Sequence, residues 1–423
     1  MIARQKYLDR LIAFQDTDLV KVITGVRRCG KSTLLEMMRQ HLATQGVPDS
    51  RLVTFKMESM EFSDIDDYRD LYVRVKGRIA PDGKTYLFFD ELQNVDGWEK
   101  AINSLRVDTD CDIYVTGSNA FLLSSELATL ISGRYVEIAL RPLVFSEYLD
   151  FRGASWGAAG SKNADIAVFE DGSFATLHSL FDQYQTYGGF PYLALCEPDI
   201  ETHRDYMHGI YQSIIVRDIM MRAQRKSLRG VSDRRVLEKI CSFLSDNVGN
   251  ETSVNKIAAT LQAEGATTNR ATADFYISTL VEAYLFSRAP RFDIKGRELL
   301  KTGGKYYIVD SGLRSYLDSY RGNDRGHVLE NLVYNQLVYD DYDVMVGHLR
   351  AGEVDFVATK PKQRMYVQVT EDMRDENTLQ RELAPLRKIG DEYKKIVVVL
   401  DGAYPSDIDG IEIVSAIDFL LHR

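Results

Sequence analysis

Apolar residues in the first third of the chain gather in short β-branched runs separated by amphipathic stretches. Asp18 to Thr24, "DLVKVIT", reads as a buried strand, and so do Leu52 to Met57, "LVTFKM", and the run that opens "TYLFFDELQNV" at Thr85. "CDIYVTGSN", Cys111 to Asn119, and "YVEIAL", from Tyr135, add two more. Helix-period segments lie between them; the first, "STLLEMMRQHL", stops near Gly46, a fitting C′ glycine. Strands alternating with helices predict a parallel sheet covered on both faces, with its binding crevice at the carboxyl ends of the strands.

Further along, the pattern turns helical. An aromatic stretch from Leu177 to Met221 reads as a helical lid. Three helices follow, "RRVLEKICSFLSDNVG", "SVNKIAATLQAEG" and "NRATADFYISTLVEAYLF", closed by a hairpin-like "FSRAPRFDIKGRELLKTGGKYYIV". Three helices and a basic hairpin predict a winged helix-turn-helix. The last hundred residues alternate again: helix "VLENLVYNQLVYD", strands "GEVDFVAT" and "RMYVQVTE", helix "NTLQRELAPLRKI", strand "KIVVVL". The expected domains are therefore 1–145, 146–225, 226–312 and 313–423. A Gly-, Ala- and Ser-rich segment at 153–173 is expected to be a flexible insertion.

The first strand runs into Gly25-Val-Arg-Arg-Cys-Gly30-Lys31-Ser32-Thr33, which matches G-x-x-x-x-G-K-[ST] at every fixed position and sits between a strand and a helix. Gly25 and Gly30 let the backbone curl close to phosphates. The amides from Arg28 to Ser32, Cys29 included, and the positive end of the following helix face the anion. Lys31 is expected to reach the β- and γ-phosphates, and the Ser32 hydroxyl to ligate Mg²⁺. Cys29 is read as a small residue that fits the loop, in preference to a redox-active thiol.

An ATPase also needs an acid on a second strand. Asp90 and Glu91 end the run "YLFFDE", with Asp90 expected in the Mg²⁺ shell and Glu91 polarising the attacking water. Ser118 or Asn119, after the next strand, is a candidate sensor of the γ-phosphate; a plain turn is the competing reading. Arg134, in "SGR", could reach a γ-phosphate in its own or a neighbouring site, or be an ordinary loop arginine.

"GVRRCGKST", "LFFDELQNVDGWE", "VTGSNAFLLSSELATLISGRYVEIALRPLVFSEYL" and "YGGFP" together resemble the prokaryotic AAA-type, archaeal-ATPase-like P-loop ATPases. "KYYIVDSGLR" and "LENLVYNQL…GEVDFVA" resemble the C-terminal domain of unknown function fused to them, of restriction-endonuclease-like fold. The resemblance covers nearly the whole chain. It implies ATP and Mg²⁺ at Gly30, Lys31, Ser32, Thr33, Asp90 and Glu91, and it raises the weight on Arg134.

In the nuclease-like fold, acids hold a metal and an acid-x-lysine triplet completes the site. Asp355 is in place and Glu330 can serve as the helix acid, but the triplet reads Gln368-Val-Thr370. Glutamine is a weak ligand for a hard cation, so cleavage is not expected. Lys360 or Lys362 could supply the lysine from another direction. The wing carries Arg288, Arg291, Lys295, Arg297, Lys301 and Lys305, which could neutralise phosphates. Its companion helix offers only Arg270 to read a base, so any DNA contact is expected to be non-specific.

Bulk composition narrows the classes. The 423 residues carry 52 basic and 62 acidic side chains, a net charge of −10, which argues against a wholesale nucleic-acid coat. No apolar run is long enough to span a bilayer, and four cysteines without metal-type spacing suit a reduced compartment, so a cytoplasmic protein with no membrane association is expected. The expected function is an ATP-hydrolysing switch that passes its change to an unidentified protein partner. The alternative is an ATP-controlled DNA-binding regulator or defence factor.

Overall fold

A computed structural model describes residues 2–117, 133–157, 165–221, 233–266, 268–300, 303–320, 324–350, 352–400, 402 and 404–423. The chain divides into two compact units, Met1–Arg141 with Glu282–Tyr284, and Pro142–Val281 with Leu285–Arg423. No described helix is long and apolar enough to cross a membrane.

In the first unit, helix α1 (Gln5–Ala13) precedes strand β1 (Val20–Gly25), and the chain continues as α2 (Lys31–Thr44), β2 (Leu52–Lys56), α3 (Tyr68–Lys76), β3 (Thr85–Asp90), α4 (Trp98–Asp108), β4 (Cys111–Thr116) and β5 (Tyr135–Leu140). The five strands form one sheet in the order β2-β3-β4-β1-β5, parallel throughout. All six β1 residues are buried, as expected of a central strand covered on both faces. Phe55, Leu87, Phe89, Trp98, Ile102 and Val115 belong to the core on one side. At the amino end of the sheet, buried Lys21 pairs with Asp112, whose other carboxylate oxygen accepts from the Tyr114 hydroxyl at 2.9 Å. A buried ion pair of this kind holds only because each charge has partners.

The second unit begins with α5 (Phe145–Phe151) and a small antiparallel sheet, β6 (Ala154–Trp156), β7 (Ile166–Phe169) and β8 (Phe174–Thr176), in the order β6-β7-β8. The segment expected to be a flexible insertion, 153–173, thus contains two strands, β6 and β7, with β8 directly after it. Its hairpin turn is built by Asp171, whose carboxylate accepts from the Ser173 amide at 2.9 Å beside left-handed Gly172. Arg423 donates to the Gly157 carbonyl at 3.2 Å, tying the chain's last residue to this segment.

Next come α6 (Leu177–Tyr187), α7 (Pro191–Ala194) and α8 (Ile200–Gln212), then α9 (Arg234–Asp246), α10 (Val254–Ala263) and α11 (Arg270–Glu282). The hairpin after them is divided. β9 (Phe286–Ala289) pairs with β12 (Lys305–Ile308), while β10 (Arg291–Asp293) and β11 (Glu298–Leu299) extend an eight-stranded sheet. Helices α12 (Ser311–Leu317) and α13 (Arg325–Tyr339) lead into β13 (Asp343–Leu349), β14 (Gly352–Lys360) and β15 (Gln363–Thr370). α14 (Glu376–Arg387), β16 (Lys394–Val399), β17 (Asp407–Ile408), β18 (Ile411–Ser415) and α15 (Ala416–Leu421) complete the chain. β13, β14 and β15 are antiparallel; β15, β16 and β18 run parallel.

"YGGFP" and "VDSGLR" meet inside this second unit. Buried Asp310 caps α12 by accepting from the Leu313 amide at 3.0 Å, and accepts from the Gly189 amide at 2.7 Å. The Ser311 hydroxyl donates to the Tyr184 carbonyl at 3.0 Å. Gly189 lies so close to the Leu143 backbone that a Cβ there would overlap the Leu143 carbonyl. These motif residues build a joint. "LENLVYNQL" also serves the architecture. Asn331 on α13 bonds both the Ile308 amide (2.9 Å) and the Ile308 carbonyl (3.0 Å), covering the edge of β12 that β9 leaves open.

Candidate functional site

The loop between β1 and α2 is set by sterics before chemistry. Gly25 (φ 139°) pairs with Leu140 at the end of β5, and any Cβ on it would overlap the Leu140 carbonyl. Arg28 (φ 64°) and Gly30 (φ 103°) take left-handed conformations, so the loop curls over the start of α2. The Lys31 ammonium folds back along the loop and donates to the carbonyls of Gly25 (3.1 Å) and Val26 (3.2 Å). Ser32, Thr33 and Arg28 are exposed, on the side from which a ligand would approach.

Cys29 is fully buried, its thiol 3.5 Å from the Leu140 carbonyl, and burial raises its pKa. It is therefore a packing residue beneath the loop, with no thiolate character. Beneath the same loop lies Arg4, which no motif in the sequence includes. Its buried guanidinium donates to the carbonyls of Cys29 (3.3 Å) and Arg141 (2.5 Å) and stacks over Tyr7.

β3 brings the acids to this loop. The Ser32 hydroxyl donates to the Asp90 carboxylate at 2.9 Å. The same Asp90 oxygen accepts from the Thr116 hydroxyl at 2.6 Å. Thr116 also accepts from the Glu91 amide at 3.0 Å, which holds Glu91 in a left-handed turn (φ 55°). The Glu91 carboxylate accepts from Gln93 at 2.5 Å. Walker-type lysine, serine and acids are thus gathered at the carboxyl ends of β1 and β3. The donor set, a hydroxyl and a carboxylate, fits a small hard cation such as Mg²⁺.

The other expected residues are Ser118, Asn119 and Arg134. Ser118 and Asn119 lie outside the described residues. Thr116, at the end of the same strand β4, holds the acid. Arg134 precedes β5, where Tyr135 is in register with Val20, and its carbonyl accepts from the Val20 amide at 2.9 Å. The loop follows the other end of β1, a six-residue strand or about 20 Å away. Within one chain, Arg134 and the loop are not brought together.

The expected basic wing is drawn inward only in part, since Arg288, Lys295 and Arg297 are exposed. Lys305 is buried, and Arg291 pairs with Glu251 at 3.0 Å and donates to His348. Arg288 donates to the Gly303 carbonyl, and Lys301 lies outside the described residues. Lys360 sits over the Tyr342 ring at the far end of β14 from Asp355.

Comparison with known proteins fits this geometry. Residues 17–149 match the family model of an AAA domain, and residues 178–324 match a domain of unknown function, DUF8612. An uncharacterised protein of Haemophilus influenzae is 40% identical over 423 residues, spanning 100% of this chain and 99% of its own. The chain belongs to the same family. Its first unit carries a P-loop AAA domain, and the DUF8612 region takes in the joint of "YGGFP" with "VDSGLR". Uncharacterised protein MJ1544 of Methanocaldococcus jannaschii is 28% identical over 378 residues, 87% of this chain and 78% of that one. Among solved structures, the Walker-type ATPase PABY2304 of Pyrococcus abyssi is similar at 13% identity and TM-score 0.46, covering 75% of this chain and 96% of that one. At that TM-score the likeness says nothing of function.

Proposed function

We propose that this chain is a Mg²⁺-dependent ATP hydrolase that works as an AAA-type molecular switch. The hydrogen-bond chain Ser32–Asp90–Thr116 at the mouth of the loop supports the reading most directly. The loop amides and Lys31 would cradle the phosphates, and Ser32 with Asp90 would hold Mg²⁺. The bound cation supplies charge neutralisation on the phosphate oxygens. Thr116 fixes the Asp90 carboxylate, and through the Glu91 amide it also sets the direction of the Glu91 side chain. Glu91 then orients and deprotonates the attacking water. Arg134, at the far end of β1, is left to serve a neighbouring copy's site or to be an ordinary loop arginine.

A switch also needs an output. Glu282–Tyr284, the last residue of α11 and the two after it, belong to the ATPase unit. The Tyr284 hydroxyl donates to Glu137 at 2.9 Å, and the same oxygen accepts from Thr24 at 2.6 Å, one residue before the loop. A change at the loop therefore has a short path to the chain that leaves α11 and, through it, to an unidentified protein partner. For the DNA-regulator alternative the wing loses Lys305 and Arg291 to internal pairs and keeps Arg288, Lys295 and Arg297 exposed.

Phosphate release by the purified chain with Mg²⁺ and ATP tests the reading. Lys31→Ala is expected to abolish it and Glu91→Gln to reduce it strongly. Equal release by wild type and Glu91→Gln would remove Glu91 as the base.

A further inference from the structure

The second unit contains a carboxylate cluster of the kind a metal-dependent nuclease uses, yet it already holds a cation. Lys305, on β12, places its ammonium 2.9 Å from Glu330 on α13, and 2.7 Å from Glu353 and 3.3 Å from Asp355 on β14. Tyr307, two residues along the same strand, donates to Glu330 at 2.6 Å. The other Asp355 oxygen accepts from the Val369 amide at 2.9 Å. Gln368, where an acidic ligand would stand, has both ends committed: its oxygen accepts from the Asp355 amide at 3.3 Å, and its nitrogen donates to Glu382 at 2.8 Å. These residues do not fit a divalent metal. Among the described residues, no group of three or more His, Cys, Asp or Glu side chains is placed to hold one.

We infer that Lys305 is the resident cation of this cluster: its ammonium takes the place of a metal, shuts the site to cleavage chemistry, and pins the β9–β12 hairpin to α13 and β14. Burial alone would lower the Lys305 pKa, but Asp355, Glu330 and Glu353 together raise it above the ordinary lysine value, so it stays charged across the physiological range. Burial and the neighbouring Asp355 raise Glu330, easing the excess of negative charge over one ammonium. Lys305, Glu330 and Asp355 are all at least nine-tenths buried, and Glu353, 36% exposed, is the cluster's solvent-facing member. The pin also accounts for the sequence: Lys305 and Tyr307 alternate onto the face of β12 that meets α13, and the stacked pair Tyr307–Tyr334 (4.1 Å between centroids) seals it.

Three variants of the full chain test this, each followed by thermal unfolding with and without Mn²⁺. The wild-type Tm is expected to show no Mn²⁺ response that Asp355→Asn removes. Lys305→Met leaves three carboxylates facing one another, so its Tm should fall by roughly 6 °C or more and recover in part with Mn²⁺. If Lys305→Met does not fold, the triple variant Lys305→Met, Glu330→Gln, Asp355→Asn should, because it removes the buried charges together and leaves only the part-exposed Glu353, and it should respond to Mn²⁺ no more than wild type does. A wild-type Tm raised by Mn²⁺ and made insensitive by Asp355→Asn would overturn the inference. So would Mn²⁺-dependent DNA nicking lost in Asp355→Ala, a Lys305→Met protein as stable as wild type, or a triple variant that fails to fold where Lys305→Met has failed.

Discussion

The Asp310 carboxylate accepts a hydrogen bond from the backbone amide of Gly189, 121 positions earlier, at 2.7 Å. This contact makes "YGGFP" and "VDSGLR" one structural element. Burial raises the Asp310 pKa to about 6, while the amides of Gly189 and Leu313 pull it back. The carboxyl is retained despite that penalty because it satisfies two buried amides at once.

Asp310→Ala should therefore cost about 2–4 kcal/mol, the sum of a lost helix cap and an orphaned buried amide. Asp310→Asn, whose single oxygen can serve only one of the two amides well, should fall between. Urea unfolding of the second unit, followed by tyrosine fluorescence, measures both. An alanine variant within 0.5 kcal/mol of wild type, roughly the scatter of neutral surface changes, would show that the joint is dispensable.

A second expectation concerns pH. His203 is buried between two partners: its Nε2 faces the Tyr187 carbonyl at 3.0 Å and its Nδ1 faces the Tyr320 hydroxyl at 2.6 Å. A carbonyl can only accept, so Nε2 carries the proton and Nδ1 accepts from Tyr320. Burial lowers the pKa to about 4. With the folded value below the unfolded one, the stabilisation is complete above about pH 6.5 and is lost as pH falls toward 4, by up to about 3 kcal/mol. The drop in unfolding free energy from pH 7 to pH 4.5 should be smaller in His203→Gln than in wild type. Equal drops would mean that His203 titrates normally.

Features carried by local pattern are legible in the sequence, and features carried by register are not. The five strands of the ATPase sheet, the loop at Gly25–Thr33 and the Asp90–Glu91 pair announce themselves through apolar runs and fixed spacing. Thr116 does not, because its role exists only once β3 and β4 lie side by side with Phe89 opposite Val115; Ser118 and Asn119, the more usual turn residues, are the more conspicuous pair. Lys305 stands out by its charge, and charge does not report burial: a lysine in a basic hairpin looks solvated until β12 is laid against α13. Arg4 lies outside every motif. The small sheet at β6–β8 is hidden by its glycine, alanine and serine content, although Ile166–Phe169 and Phe174–Thr176 flank a clear Asp171-Gly172 turn.

Thr116 gives the sharpest test of the ATPase site. Thr116→Val keeps shape and strand propensity and removes only the hydroxyl shared by Asp90 and the Glu91 amide. Loss of a group that orients a metal ligand commonly reduces activity about 10–100-fold. The expected result is a kcat for ATP hydrolysis lower by that order, ATP binding retained, and Thr116→Ser close to wild type. Unchanged turnover in Thr116→Val would detach Thr116 from the acids.

The loop's underside makes the last prediction. Arg4 sits in the core at 5% exposure, where one guanidinium nitrogen reaches both the Cys29 carbonyl inside the loop and the Arg141 carbonyl beyond β5. Charged donors to buried carbonyls contribute about 1.5–3 kcal/mol each, far more than an exposed pair would. Arg4→Met preserves most of the buried volume but cannot donate, so the Cys29 carbonyl is free to turn and the amides that follow it lose their common direction. Because phosphate binding depends on those amides acting together, affinity for ATP should fall by roughly 10-fold or more. Turnover at saturating ATP should change much less, since Asp90, Glu91 and Thr116 are untouched. A fluorescent ATP analogue titrated into folded Arg4→Met separates the two effects. Wild-type affinity in that variant would show that the loop holds its curl from Gly25 and Gly30 alone.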